Sequence, residues 1–232
     1  MTPYAWLMLG SFLGPFFLSF DKKVAFYKLW PAVFLGILVN GIFFVIWDSW
    51  FTINGIWSFN PQHVWDIRLM SLPLEEISFF IVVPYASIFI YACCKAYFSD
   101  QFFSKLVSIL NLSVLTILAF LLIRYSHCTY TFFNCLFAFI LLLLHQFWLK
   151  KNYMGYFWMA YFIHLIPFLI VNGVLTATPV VLYNPNEITG FRIYTIPIED
   201  TVYALTCLLL PITVMEYYLE KRKMKMMIKS NL

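Results

Sequence analysis

The chain has 232 residues, of which 62% are hydrophobic and 11% are charged, and its mean hydropathy is +0.82. A soluble domain is typically about 45–50% apolar and about 25% charged, so this composition excludes an ordinary soluble fold and indicates an integral membrane protein. The net charge of +4 is modest, and the charged residues lie between and after apolar runs, which argues against a nucleic-acid-binding surface.

Seven apolar stretches are long enough, or nearly so, to cross a bilayer, which takes about 20 mostly apolar residues. In chain order they are Tyr4–Phe20, Leu29–Trp47, Leu74–Tyr97, Leu106–Ile123, Thr131–Leu149, Tyr156–Leu175 and Ile198–Leu219. The first stretch lacks the basic start and small-residue cleavage site of a secretory signal, so we interpret it as a retained helix. The sequence therefore predicts an all-α membrane protein with about seven transmembrane helices.

The basic residues are unevenly distributed among the predicted loops. Twelve of the 15 lysines and arginines lie in the odd-numbered loops or the C-terminal tail, whereas each even-numbered loop holds one, namely Arg68, Arg124 or Arg192. Because basic residues favour the cytoplasmic side, this bias predicts an outer N-terminus and a cytoplasmic C-terminus in a bacterial cytoplasmic membrane. A reporter fused after Leu232 would test that orientation.

One polar pattern occurs twice in the chain. The stretch "RLMSLPLEEISFF" begins at Arg68, and "RIYTIPIEDTVY" begins 124 residues later at Arg192. The pairs that match at this offset include Asn60/Asn184, Pro61/Pro185, Arg68/Arg192, Pro73/Pro197, Glu75/Glu199 and Glu76/Asp200. The pattern predicts a three-helix repeat in residues 1–98, a linker helix in 99–129 and a second repeat in 130–232. Because the linker restores the orientation, the two repeats are expected to be parallel.

The acid pairs Glu75-Glu76 and Glu199-Asp200 stand where helices 3 and 7 are expected to begin. Acids in a first turn complement the helix dipole, and the arginines of the repeat are possible ion-pair partners. A functional interpretation is favoured because the pattern is repeated, each copy has two acids, and ionisable groups at the bilayer are costly. A neutral carboxylic acid in an apolar site donates protons, and aromatic rings stabilise cations.

Cysteines and histidines do not form a recognisable site in the sequence. The five cysteines include no C-x-x-C, and the four histidines show no ligand spacing, so neither a disulfide framework nor a metal site is predicted. No G-x-G-x-x-G follows a strand, so no organic cofactor is predicted either.

These motifs resemble the small membrane lycopene cyclases of carotenoid synthesis, in the form that fuses two short subunits into one chain. "GIWSFNP" with "PLEE" resembles one subunit, "YNP" with "IPIED" resembles the other, and "IWD" at Ile46–Asp48 also fits. The resemblance implies an enzyme that converts the linear ends of lycopene into rings by a redox-neutral, acid-catalysed isomerisation. Implied partners are lycopene and other carotenoids, membrane lipid and other enzymes of the carotenoid pathway.

The resemblance also implies roles for individual residues. Glu75, Glu76, Glu199 and Asp200 become the candidates for acid and base, and we favour Glu75 and Glu199 because the residue type is the same in both copies. The expected substrate-binding or orienting residues are Asn60, Arg68, Asn184, Arg192, Trp57 and Asp48.

Three alternatives stay open at this point. The first is a cyclase that forms ε- or γ-rings, or one that acts on longer, C50 carotenoids. The second is a small membrane carrier, since parallel repeats and intramembrane acids also occur in carriers. The third is a retinal-binding photoreceptor, which needs a Schiff-base lysine in the last helix; the stretch Ile198–Leu219 contains none.

Overall fold

The computed structural model describes residues 2–99 and 101–230. Its α-helices are α1 (Pro3–Leu18), α2 (Trp30–Ile53), α3 (Leu74–Tyr97), α4 (Gln101–Arg124), α5 (Thr129–Leu143, continued by a π-turn over Leu144–Leu149), α6 (Met154–Ala177) and α7 (Glu199–Ser230). Within the described residues, six of these helical segments are long and apolar enough to span a membrane, and α1 is shorter at 16 residues. The prediction of an all-α membrane protein is confirmed.

Two helices extend well beyond their predicted ends. Helix α2 continues past Trp47 to Ile53, which places Asp48 inside a helix instead of in a loop. Helix α7 continues past Leu219 to Ser230, because its basic end is rich in lysine, arginine and methionine, which favour helix. Apolar runs therefore mark the membrane-spanning part of a helix and underestimate its length.

Short strands connect the helices at the end of the bundle where α3 and α7 begin. They are β1 (Trp57–Phe59), β2 (Arg68–Leu69), β3 (Leu72–Pro73), β4 (Val181–Tyr183), β5 (Arg192–Ile193) and β6 (Ile196–Pro197). Strand β1 pairs antiparallel with β4, and Ser58 lies opposite Leu182, which is its repeat equivalent at an offset of 124. A local two-fold axis therefore passes through this pair, and the repeats are parallel as predicted.

Each repeat also forms a small hairpin just before its long helix. The β2–β3 hairpin pairs Arg68 with Pro73, and the β5–β6 hairpin pairs Arg192 with Pro197 in the same register. The Ser49 hydroxyl of α2 donates to the Met70 carbonyl in the first hairpin. In the second hairpin, the Thr195 and Thr176 hydroxyls lie 2.6 Å apart, and Thr176 belongs to α6. These contacts fix where α3 and α7 start, and hence where the acid pairs lie.

Helix α4 packs against the second repeat through a buried polar contact. The Trp158 Nε1 group of α6 donates to Asn111 Oδ1 on α4 at 2.8 Å, and Asn111 Nδ2 donates to Gln146 Oε1 at 3.0 Å. Buried polar groups need such partners. The linker helix is therefore held in place by α6 and the end of α5.

Helices α2 and α7 approach closely at Gly36. A Cβ built on Gly36 would lie 2.5 Å from the backbone oxygen of Pro211, so even a methyl group has no room unless the helices separate. We expect Gly36→Ala to lower the free energy of unfolding by about 1–3 kcal/mol, the usual cost of overpacking. Thermal unfolding in detergent measures this effect.

Gly41→Ala is the matched control, since it lies in the same helix and its nearest neighbour is a backbone oxygen at 4.0 Å. Alanine favours helix over glycine by about 1 kcal/mol, so this variant is expected to melt at or above the wild-type temperature. An unchanged melting temperature for Gly36→Ala would contradict the close α2–α7 contact.

Candidate active site

The first acid of each pair fastens the preceding loop to the repeat's first helix. Glu75 Oε1 accepts hydrogen bonds from the Thr2 hydroxyl at 2.7 Å and the Trp65 backbone N–H at 2.9 Å. Glu199 Oε1 accepts the equivalent bonds from the Thr131 hydroxyl at 2.8 Å and the Thr189 N–H at 2.6 Å. These two acids therefore have matching surroundings, which position the loops.

The second acid of each pair faces a different space. Glu76 and Asp200 line a small cavity of about 50 Å³ between the repeats, and Asp48 of α2 lines it as well. Its other walls are formed by Tyr4, Trp57, Phe59, Phe79, Tyr130, Phe168, Asn172, Leu175, Val181, Tyr183 and Tyr203. The three acids are only 2–7% exposed. Acids from both repeats thus meet in one buried, aromatic cavity, whose wall does not include Glu75 or Glu199.

Asp200 is surrounded by hydrogen-bond donors. Its Oδ1 accepts from the Tyr130 hydroxyl at 2.6 Å, and its Oδ2 accepts from the Tyr183 hydroxyl at 2.8 Å and Asn172 Nδ2 at 2.7 Å. Tyr183 is half-buried, but its hydroxyl points inward. Burial raises the pKa of Tyr183 well above its usual range, and the negative charge of Asp200 adds to the rise. The Tyr183 hydroxyl is therefore a permanent donor to Asp200.

Glu76 has an acidic neighbour instead. Its Oε2 accepts from the Tyr4 hydroxyl at 2.6 Å, and its carboxyl group lines the same small cavity as that of Asp48. Asp48 Oδ1 also accepts from the Tyr203 hydroxyl at 2.9 Å. Two ionised carboxylates in one buried cavity would repel each other. One proton shared by Glu76 and Asp48 would relieve that repulsion.

The arginines and asparagines of the repeat support the loops. Arg68 donates to the Ser71 carbonyl at 3.3 Å, and Arg192 donates to the Thr195 carbonyl at 2.6 Å, so each contacts its own hairpin instead of a carboxylate. The backbone N–H groups of Asn60 and Asn184 bond across the β1–β4 pair, each at 3.0 Å. These four residues do not contact the acids directly. Trp57, by contrast, lies in the cavity wall.

The tyrosines and the asparagine around the acids were not predicted as site residues. Tyr4 and Tyr130 begin the first helix of each repeat, about 70 residues before the acids that they contact. A repeat comparison extended to the helix starts would have paired them, although the offset there is 126 instead of 124. Asn172 belongs to a further repeat match, since Asn172-Gly173 corresponds to Asn40-Gly41 at an offset of 132.

The fold and the cavity together define an integral membrane protein with a buried acid–aromatic site between two parallel repeats. The sequence model of the lycopene cyclase family matches residues 2–94 and 127–218 of the chain. The chain belongs to the lycopene cyclase family, and hence to the enzymes that cyclise carotenoids. No curated protein and no solved structure matches it.

Proposed function

We propose that the protein is a lycopene β-cyclase, which converts the linear ψ ends of lycopene into β-ionone rings and so forms γ-carotene or β-carotene. The observation that carries this proposal is the convergence of Asp48, Glu76 and Asp200 in one buried aromatic cavity. The reaction is an isomerisation, since one proton is added to the end group and one is removed from it.

The proton comes from the Glu76–Asp48 pair. A carboxylic acid that is neutral in an apolar site is a proton donor, and general acid catalysis of this kind contributes about 10²–10⁴-fold to a rate. The acid adds its proton to the terminal double bond of the substrate, and the electron pair of that bond forms the new C–H bond. The positive charge is left on the neighbouring carbon, and the carboxyl pair becomes one charge more negative.

Ring closure and proton loss complete the reaction. A second double bond attacks the cation and closes a six-membered ring, which moves the charge to a ring carbon. The rings of Trp57, Tyr130 and Tyr203, which belong to the cavity wall, stabilise that charge. Asp200 serves as the nearby anion and takes the proton that leaves, restoring a double bond. Asp200 and Glu76 line the same small cavity, so the proton returns within it.

The chemical roles proposed for Glu76 and Asp200 differ from the sequence-based preference for Glu75 and Glu199. Their contacts with loop N–H groups and helix-start threonines support a role in positioning. The cavity contacts of Glu76 and Asp200 support the chemical role. The ring type depends on which carbon loses the proton: β-, ε- and γ-rings share the first two steps.

The proposal is tested by expressing the chain in a bacterium that accumulates lycopene. We expect β-carotene or γ-carotene to appear in the extracted pigments, separated by reverse-phase chromatography with absorbance detection. ε-ring products would indicate the other ring type. Unchanged lycopene, with the protein verified in the membrane, would contradict the proposal, and transport of an unaltered carotenoid would then favour the carrier.

A further inference from the structure

A second, larger cavity adjoins the acid site. It is an apolar cleft of about 340 Å³ between α1, α3 and α6. Phe79, Phe168, Asn172 and Leu175 line both the cleft and the acid cavity. The two spaces therefore adjoin each other, and the cleft lies next to the position of a ligand end beside Glu76.

The cleft has the shape and chemistry of a site for a long hydrocarbon chain. Along α3 it extends from Phe79 to Ile90, a length of about 16 Å at roughly 1.5 Å per residue, or about half of a bilayer core of roughly 30 Å. Two of its polar members, Ser87 and His164, bond to each other at 3.0 Å. Gly10 and Gly14 of α1 line it with no side chain, and no atom lies within 4 Å of a Cβ built on either.

The repeat equivalent of this cleft is closed. At the offset of 132, Gly36 of α2 corresponds to Phe168 of α6. At the offset of 124, Pro211 of α7 corresponds to Ser87 of α3. Gly36 lets α2 contact the backbone of α7 at Pro211, whereas Phe168 and Ser87 line the open cleft between α6 and α3. Next to α2 and α5, the rings of Phe43 and Phe137 stack at 4.4 Å. The two-fold symmetry of the repeats is therefore broken where a chain would enter.

We propose that the α1–α3–α6 cleft binds the extended polyene of a carotenoid while its reacting end lies in the acid cavity. This inference rests on the proposed function for its ligand. The cleft is lined by the exposed α1 residues Gly10, Gly14 and Leu18, so a substrate dissolved in the membrane enters sideways between α1 and α6. One end group is processed at a time, and the second ring requires the molecule to leave and re-enter the other way round.

The test fills the cleft from α1. In Gly14→Trp and Gly10→Phe, the new side chain occupies the space of the polyene, and we expect ring formation from lycopene to fall roughly tenfold or more, as expected for overpacking of a binding site. The same substitutions are also made in a Glu76→Gln background, where lycopene is not consumed. There, we expect the lycopene that co-purifies with the protein, measured by absorbance, to fall in parallel.

Two tryptophan substitutions on lipid-facing positions serve as matched controls. Phe17→Trp is on α1 at a residue that is 68% exposed, and Ile109→Trp is on α4 at a residue that is 60% exposed. Neither residue lines the cleft, and both variants are expected to keep wild-type activity and bound pigment. Melting temperatures in detergent show whether each variant is folded.

The outcomes separate the cleft from the proposed reaction. If the wild-type protein forms rings and both folded cleft variants match it in rate and bound lycopene, the cleft proposal is overturned. If the wild-type protein binds lycopene without forming rings, and the cleft variants lose that pigment, the cleft is supported and the proposed function fails. A wild-type protein that neither binds lycopene nor forms rings contradicts both.

Discussion

Glu76→Gln should abolish most ring formation, whereas Glu75→Gln, one residue away, should leave most of it. Glutamine keeps an oxygen that accepts from Tyr4 but cannot release a proton, so the loss should be on the order of 10²-fold or more, the range for a general acid. At position 75, glutamine keeps an acceptor for Thr2 and the Trp65 N–H. The changed acceptor weakens hydrogen bonds worth about 1 kcal/mol each, so we expect the rate to fall by no more than roughly tenfold.

Both variants are measured as the initial rate of lycopene loss and ring formation in isolated membranes, normalised to the amount of protein. They make the same substitution on adjacent residues, so differences in expression or insertion cannot by themselves reverse their order. A Glu75→Gln variant that is inactive beside an active Glu76→Gln would return the chemical role to Glu75, as the sequence-based preference had it.

Asp200→Asn should be nearly as damaging for a different reason. Asp200 receives two tyrosine hydroxyls and one amide N–H₂, so an asparagine would direct its own N–H₂ at a donor while losing the negative charge. Removing one preorganised electrostatic group commonly costs about 10²–10³-fold in rate. We expect ring formation to fall by that order, with lycopene still bound, in the same membrane assay.

Tyr183→Phe and Glu199→Gln separate the possible causes of that loss. Tyr183→Phe removes one of three donors to Asp200 and should give an intermediate rate. Glu199→Gln leaves the cavity wall unchanged and should resemble Glu75→Gln. If Asp200→Asn retains wild-type activity, Asp200 is neither the proton acceptor nor the anion for the cation, and a tyrosine or Asp48 must act in its place.

The sequence allowed much of the architecture to be predicted, because the signals for it are local or repeated. Long apolar runs mark spanning helices, and the polar identities at an offset of 124 mark the repeat. The sequence alone does not show which acid of each pair lines the cavity. Adjacent helical residues point about 100° apart, so the two acids of a pair face different surroundings. Which of them lines the cavity depends on the rotation of α3 and α7, which packing decides.

The residues that contact the acids could not be predicted either, because they come from distant parts of the chain. Tyr203 reaches Asp48 across 155 residues, and Tyr4 reaches Glu76 across 72. Neither sequence separation distinguishes these tyrosines from the other aromatic residues of the membrane helices. Asp48 was placed near the end of an apolar run, and only the longer α2 of the structure brings it into the cavity wall.

Glu76 and Asp200 have different neighbours, which makes the two halves of the duplicated fold chemically unequal. Two identical halves around a two-fold axis would present two equivalent carboxyl groups, with no basis for one to give a proton and the other to take it. Here the position equivalent to Asp48 is Val180, and the partner of Asp200 on α6 is the amide of Asn172. Duplication supplied two acids at the same depth, and in the proposed mechanism the presence of Asp48 beside only one of them distinguishes the proton donor from the acceptor.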